Sequence, residues 1–414
     1  MAQILPFKAI RPNREEAATI AALPYDVYSR KEAYEKVKEQ PGSFLAIDRP
    51  ETQFSEGVDM YSDGVYAKAA EMLNDWKAQG RFIQDAKPFY YVYELTMDGR
   101  SQTGIVACAS IDDYVNGVIK KHENTRAEKE LDRIRHVDTC DAQTGPIFLA
   151  YRANPTLTTI VEKVKTRGPV YDFVAEDGIS HRCWVIDDMT TKALIATTFD
   201  QMDSIYIADG HHRAASAVKV GLKRREENPG YTGKEEFNYF LSVLFPDDEL
   251  KIYDYNRVVK DLNGHSSEEF IKALEKVATV VKTADALIRP ENKGQWSLYL
   301  DNKWYLYQFK DEVLSNDPVE GLDVSLLQNL VLEPILGIKD PKTDDRIDFV
   351  GGIRGLEELE RRCSVDCKVA FAMYPTSIAE LFDVADAGLL MPPKSTWFEP
   401  KLRSGLFIHD IKNK

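Results

Sequence analysis

The feature that most constrains the fold is a stretch in which an apolar strand passes through a polar turn into a helix. It runs Ser204-Ile205-Tyr206-Ile207-Ala208, then Asp209-Gly210-His211-His212-Arg213, then Ala214-Ala215-Ser216-Ala217-Val218. The first run has the length and branching of a short buried strand, and the last reads as helix. Two imidazoles and a guanidinium therefore stand at a helix N-terminus, where the macrodipole disfavours cations by a few tenths of a kcal/mol up to about 1 each. A bound anion would relieve that. Unpaired helix amides and a flexible Gly210 make a phosphate cradle, and Arg213 adds a planar fork that matches phosphate oxygens. Asp209 can serve as helix cap, as magnesium ligand or as the orienter of a histidine ring. Capping needs only Asp209 and leaves His-His-Arg unexplained.

Any such anion site must be local. The 414 residues carry a formal net charge of −14, which opposes a general affinity for nucleic acid or an anionic membrane. No apolar run approaches the roughly 18 residues that cross a bilayer, and Met1 to Phe7 lacks the apolar core of a signal peptide. A cytoplasmic protein is expected. Five cysteines, an odd number in a large chain, give no disulfide framework. Cys363 and Cys367 sit four apart in a predicted helix without a nearby histidine, so free thiols are expected.

Along the chain, turn signals crowd the first fifty residues, with a helix predicted at Lys31 to Lys38 and a longer one at Tyr61 to Lys77. Asp98-Gly99 joins two predicted strands, Phe89 to Thr96 and Gly104 to Ile111, and Asp301-Asn302 joins Trp296 to Leu300 and Trp304 to Phe309. Further strands are predicted at 170–174, 183–186, 239–245 and 369–373. Helices are predicted at 189–198, 266–280, 324–335, 356–362 and 378–386. Hairpins mixed with helices indicate an α+β (mixed α/β) fold rather than a doubly wound parallel one. The expected organisation is a phosphate-binding core with an N-terminal extension over 1–263 and a second α/β lobe over 264–414, whose last loop, 391–405, returns to the site.

A second dense segment is Lys121-His122-Glu123-Asn124-Thr125-Arg126, leading into Ala127 to His136. Thr125 with Glu128 predicts a capping box and a helix from Arg126. On that helix Arg126, Lys129, Arg133 and His136 share one face, while Leu131, Ile134 and Val137 take the buried side. A basic stripe at a capped helix end suits a polyphosphate, and interleaved Glu128, Glu130 and Asp132 offer the competing account of a solvated face. Glu123, flanked by bases, is placed to accept a proton from an alcohol that attacks phosphorus. Asp141 to Pro146 forms a tight polar loop, and Lys394, Ser395 and Thr396 add a base and two hydroxyls in a proline-stiffened segment. Phe349 to Gly355 resembles a glycine-rich phosphate loop only loosely. Walker, protein-kinase and G-x-S-x-G signatures are absent.

Leu23-Pro24-Tyr25-Asp26-Val27, the Lys-His-Glu-Asn-Thr-Arg run at 121–126, Gln143-Thr144-Gly145-Pro146, Asp209 to Arg213, and Pro393-Lys394-Ser395-Thr396 together resemble a widespread bacterial and archaeal family labelled a domain of unknown function. The resemblance spans nearly the whole chain. Asp-Gly-His-His-Arg is also similar to the phosphate-binding motif of the ParB and sulfiredoxin superfamily, including its free serine kinases. That resemblance implies a ParB/sulfiredoxin-like core with large insertions, donor phosphates and metal held by Asp209 to Arg213, and Glu123 as base. Glu123-Asn124 with Arg126 looks like the superfamily's Glu-Asn-x-x-Arg element with the arginine one position early. The 86-position separation of Glu123 and Asp209 exceeds the expected spacing, so an insertion lies between them or another carboxylate, with Glu51 in reserve, is the base.

The expectation is a small-molecule phosphotransferase, a kinase of free L-serine or a similar hydroxyl substrate. Glu123, His211 and His212 would be catalytic. Lys121, Arg126, Lys129, Arg133, Gly210, Arg213, Lys394, Ser395 and Thr396 would bind phosphate, and Asp209 would hold Mg2+. Pyrophosphate, ADP and ATP all stand as donors, with the lack of an adenine site tilting toward pyrophosphate. A phosphatase of phosphoserine-like monoesters and a non-catalytic ParB-like nucleotide-binding regulator are the rivals. A small-molecule substrate is the expected partner, with neither nucleic acid nor membrane, and self-association into a homodimer stays open.

Overall fold

In the computed structural model, which describes residues 1–412, the chain divides into two units: residues 1–250 with those from Pro400 onward, and residues 251–399. The first is built on a nine-stranded sheet. Its order is Ile119–Lys120, Ile205–Asp209, Ile147–Tyr151, Tyr239–Pro246, Arg100–Ser110, Tyr90–Met97, Ser180–Ile186 and Tyr171–Val174, with Ile4–Leu5 added against Arg100–Ser110. Most neighbours are antiparallel. Ile119–Lys120 with Ile205–Asp209, and Ile147–Tyr151 with Tyr239–Pro246, are parallel. The fold is α+β.

Local chemistry accounts for these elements. Asp98 and Gly99 both take positive φ, at 51° and 77°, the geometry of a two-residue hairpin turn that Asp-Gly favours. Asp301 and Asn302, at 50° and 60°, repeat it in the second unit. Ile105, Ile147, Leu149, Ile205, Ile207 and Phe240 join one buried core with Ala214, Ala217 and Val218 of the helix that follows the motif. Small alanines let that helix, His211–Glu227, lie close to the sheet and to the helix Ala127–Cys140.

The parallel pairing of Ile205 with Ile119 and Tyr206 with Lys120 positions the site. Parallel strands deliver their C-terminal ends to the same edge, so the residues after Lys120 and those after Ala208 emerge side by side. A register shift between Ile207 and Asp209 marks a bulge, a device that re-aims the side chain beyond it.

The second unit carries a six-stranded antiparallel sheet in the order Ala278–Ala284, Lys303–Phe309, Gln295–Leu300, Val369–Met373, Tyr255–Val259 and Ile347–Gly351. Its second strand from one edge, Tyr255–Val259, pairs on both sides within it, so the boundary falls at Lys251 rather than at 264. The predicted helix 266–280 is shorter. It spans Ser267–Leu274 under a Ser266/Glu269 capping box, and Ala278–Ala284 is a strand. The predicted helix 324–335 is an α-helical turn, Asp323–Leu327, continued by a π-helical one, Gln328–Leu332. Among the described residues no helix is long and apolar enough to cross a membrane.

Candidate functional site

Gly210 makes the turn. Its φ of +91° lies in the left-handed region, and a Cβ there would stand 3.1 Å from Arg213 Nε and Nη2. Glycine is what lets the chain leave the strand and start the helix at His211. No side chain caps that helix start, an arrangement that suits an anion. Asp209, instead of capping, accepts from the Gly210 amide at 2.8 Å through Oδ1 and from Lys401 Nζ at 3.0 Å through Oδ2. Burial alone would raise the Asp209 carboxyl, yet Lys401, Arg213 and the Gly210 amide hold it well below the ordinary carboxylate range. Each of its oxygens thus already has a partner.

The two segments separated in sequence meet here. The Arg126 backbone amide donates to His212 Nε2 at 2.9 Å, and the His122 and His211 rings meet edge to face with centroids 4.5 Å apart. One ligand atom each from His122, Glu123 and His211 lies within 4.8 Å of the others. Burial pushes His122 down to about 4, against the pull of the Ile207 backbone and of Asp209. His211 is lowered further, first by burial and then by His122, and His212 is lowered by burial as well. At neutral pH the motif presents neutral imidazoles beside an ionised Asp209, so the cationic charge at the helix end rests on Arg213. Its Nη1 donates to the Pro146 carbonyl at 2.5 Å.

The helix Ala127–Cys140 departs from its expected role. It has no capping box: Thr125 Oγ1 donates to Glu130 Oε2 at 2.7 Å, and the N-cap is Arg126. Glu130 also pairs with Lys219, which anchors the helix to its neighbour. The basic stripe is split by burial. Arg126 and Lys129 are exposed, whereas Arg133 and His136 point inward. Arg133 pairs with Asp132 at 2.8 Å, reaches the Asp48 carbonyl and lies over the Tyr25 ring at 3.9 Å. His136 bonds the Ile47 carbonyl at 2.9 Å. Leu131, expected inside, is exposed, and Glu130 and Asp132, expected outside, are buried.

Arg133 and Arg213 nevertheless line one small cleft, with Tyr25, Asp48, Thr144 and Gly145. Thr144 Oγ1 donates to Asp48 Oδ1 at 2.8 Å. Gln143 serves structure instead, with its side chain bridging Tyr239 and Leu241 backbone groups. Glu51 is buried against Arg49 at 2.7 Å. Lys121 is exposed next to His122. Lys394, Ser395 and Thr396 belong to the second unit, where the Lys394 carbonyl accepts from Arg257 and Ser395 Oγ donates to Pro392. The part of the 391–405 loop that reaches the motif is Lys401, in the first unit. Lys401 and His122 are site residues that were not singled out from sequence. Only the strand pairing and the returning C-terminal segment reveal them.

The model of the family described as proteins of unknown function, DUF1015, matches residues 4–325. The chain belongs to that family. No curated protein matches it. Among solved structures it is similar to a free serine kinase in complex with AMP, at 15% identity over 75% of this chain and 91% of that one, with a TM-score of 0.37. It is also similar to C-terminally truncated SbnI from Staphylococcus aureus, at 11% identity over 72% and 85%, with a TM-score of 0.40. A conserved hypothetical protein from Pyrococcus furiosus matches at 15% identity over 73% and 94%, with a TM-score of 0.33.

Proposed function

We propose that this DUF1015 chain is a small-molecule phosphotransferase that moves a phosphoryl group from pyrophosphate, ADP or ATP to the hydroxyl of free L-serine or a similar small alcohol. The observation that carries the reading is the convergence at one uncapped helix start of an arginine fork, Arg213, with a carboxylate, Glu123, that lies within 4.8 Å of His211. Helix amides and Arg213 suit the donor phosphates. Glu123 takes the hydroxyl proton as the alcohol oxygen bonds to phosphorus and the bond to the leaving phosphate or nucleotide breaks. A magnesium ion accompanying the donor would reach Asp209 only in competition with Lys401. The serine acceptor rests on the motif resemblance of 121–126 and 209–213.

The test supplies serine with each donor and Mg2+ and follows phosphoserine by mass spectrometry. Phosphoserine formation that falls at least about 100-fold in Glu123→Gln, the loss expected for a general base, supports the reading. Phosphate release from phosphoserine without any donor would replace it with a phosphatase. Donor binding that survives Glu123→Gln, with no turnover in the native chain, would replace it with a nucleotide-binding regulator.

A further inference from the structure

Two histidines and a glutamate meet at the motif although the two segments lie far apart in sequence, Arg126 and His212 being 86 positions apart. We propose that His122, Glu123 and His211 bind a divalent first-row transition ion of the zinc class. Their ligand atoms lie within 4.8 Å of one another, against the roughly 3.3 Å separations of a tetrahedral shell with bonds near 2.0–2.1 Å. Three protein ligands leave a coordination position for water or a phosphate oxygen, the pattern of catalytic rather than structural zinc.

An independent observation points to the same ion. His211 is 6% exposed, and its Nε2 is buried without a hydrogen-bond partner. Buried ring nitrogens are ordinarily satisfied, so an unpartnered one points to a ligand. His122 has the outer support that metal-binding imidazoles use, a hydrogen bond to the Ile207 backbone. Imidazole donors also favour zinc, cobalt or iron(II) over magnesium, which prefers an all-oxygen shell. The inference goes beyond phosphotransfer: one Glu123 oxygen would bind the ion while the other remains to take the hydroxyl proton, and metal uptake is read separately from phosphoserine formation.

The test uses the full chain after chelator treatment, titrated with Co2+ as a coloured probe and then with Zn2+. The expected result is one Co2+ per chain with visible d–d bands, displaced by Zn2+ but not by millimolar Mg2+. His211→Ala should weaken binding at least tenfold. Glu123→Gln, isosteric and at a half-buried position, should do the same with an unchanged far-UV spectrum, which guards against a variant that merely misfolds. Substoichiometric binding, or folded Glu123→Gln and His211→Ala that both bind Co2+ as the native chain does, would overturn the proposal.

Discussion

Acidification from pH 7 to 4.5 should destabilise the first unit chiefly through imidazoles that it keeps neutral. His122 is 1% exposed, and burial takes it from 6.5 to about 4. That difference corresponds to about 3 kcal/mol of folded-state preference for the neutral ring. As pH falls through about 6.5 the unfolded chain binds a proton at this position and the folded chain does not until about 4. The stabilisation is therefore complete above 6.5 and disappears between 6.5 and 4. His181, lowered to about 3 by burial and Arg403, and His211, lowered mainly by burial, act in the same direction. Each ring contributes a slope of up to about 1.4 kcal/mol per pH unit in that window. Urea unfolding at pH 7, 6, 5 and 4.5 measures the slope, and His122→Asn should remove one ring's share. Parallel stability curves for His122→Asn and the native chain over this range would refute the reasoning, as would a His122 ring that titrates near 6.5 by NMR.

Gly210→Ala should cost about 1–2 kcal/mol, the penalty of a Cβ in the left-handed region, with Arg213 displaced as well; thermal unfolding and pyrophosphate titration measure the two effects, and an unshifted midpoint would contradict the turn geometry. Arg213→Ala should weaken pyrophosphate binding by roughly 1.5–3 kcal/mol, the range for a hydrogen bond to a charged group, and an unchanged affinity by calorimetry would remove Arg213 from the site. Arg133→Ala should instead lower stability by about 3–5 kcal/mol, because it leaves buried Asp132 without its guanidinium partner; weaker ligand binding at unchanged urea stability would return Arg133 to phosphate recognition.

The strand-turn-helix at 204–218 was legible because period, β-branching and glycine agree there with the three-dimensional outcome. The convergence of 121–126 with 209–213 was not, since it depends on a two-residue parallel pairing that leaves no periodic signal. The helix after Thr125 shows a different limit. Spacing correctly put Arg133 and His136 on one face, but a polar face packed against Asp48, Ile47 and Tyr25 has the same spacing as a face turned to water. In the 266–280 segment the helix start was read correctly, while Val277, Thr279, Val280 and Val281 favoured an edge strand once Leu274 had closed the short helix. Lys401 was visible as one base among several. Its bond to Asp209 follows from a chain reversal far from the motif.

That reversal has a consequence for synthesis. The first unit is interrupted by roughly 150 residues and resumes at Pro400. The resumed segment supplies Lys401 to Asp209, the Ser404 bridge to Ala22 and the His409–Asp410 strand on Ala142–Gln143. At a ribosomal pace of about 5–20 residues per second, these partners are made about 8–30 s after Leu250. Throughout that interval Asp209 must wait without its lysine on a bulged strand, so a ribosome that stalls or terminates inside the interruption leaves a nascent chain with the motif made and its counter-charge missing.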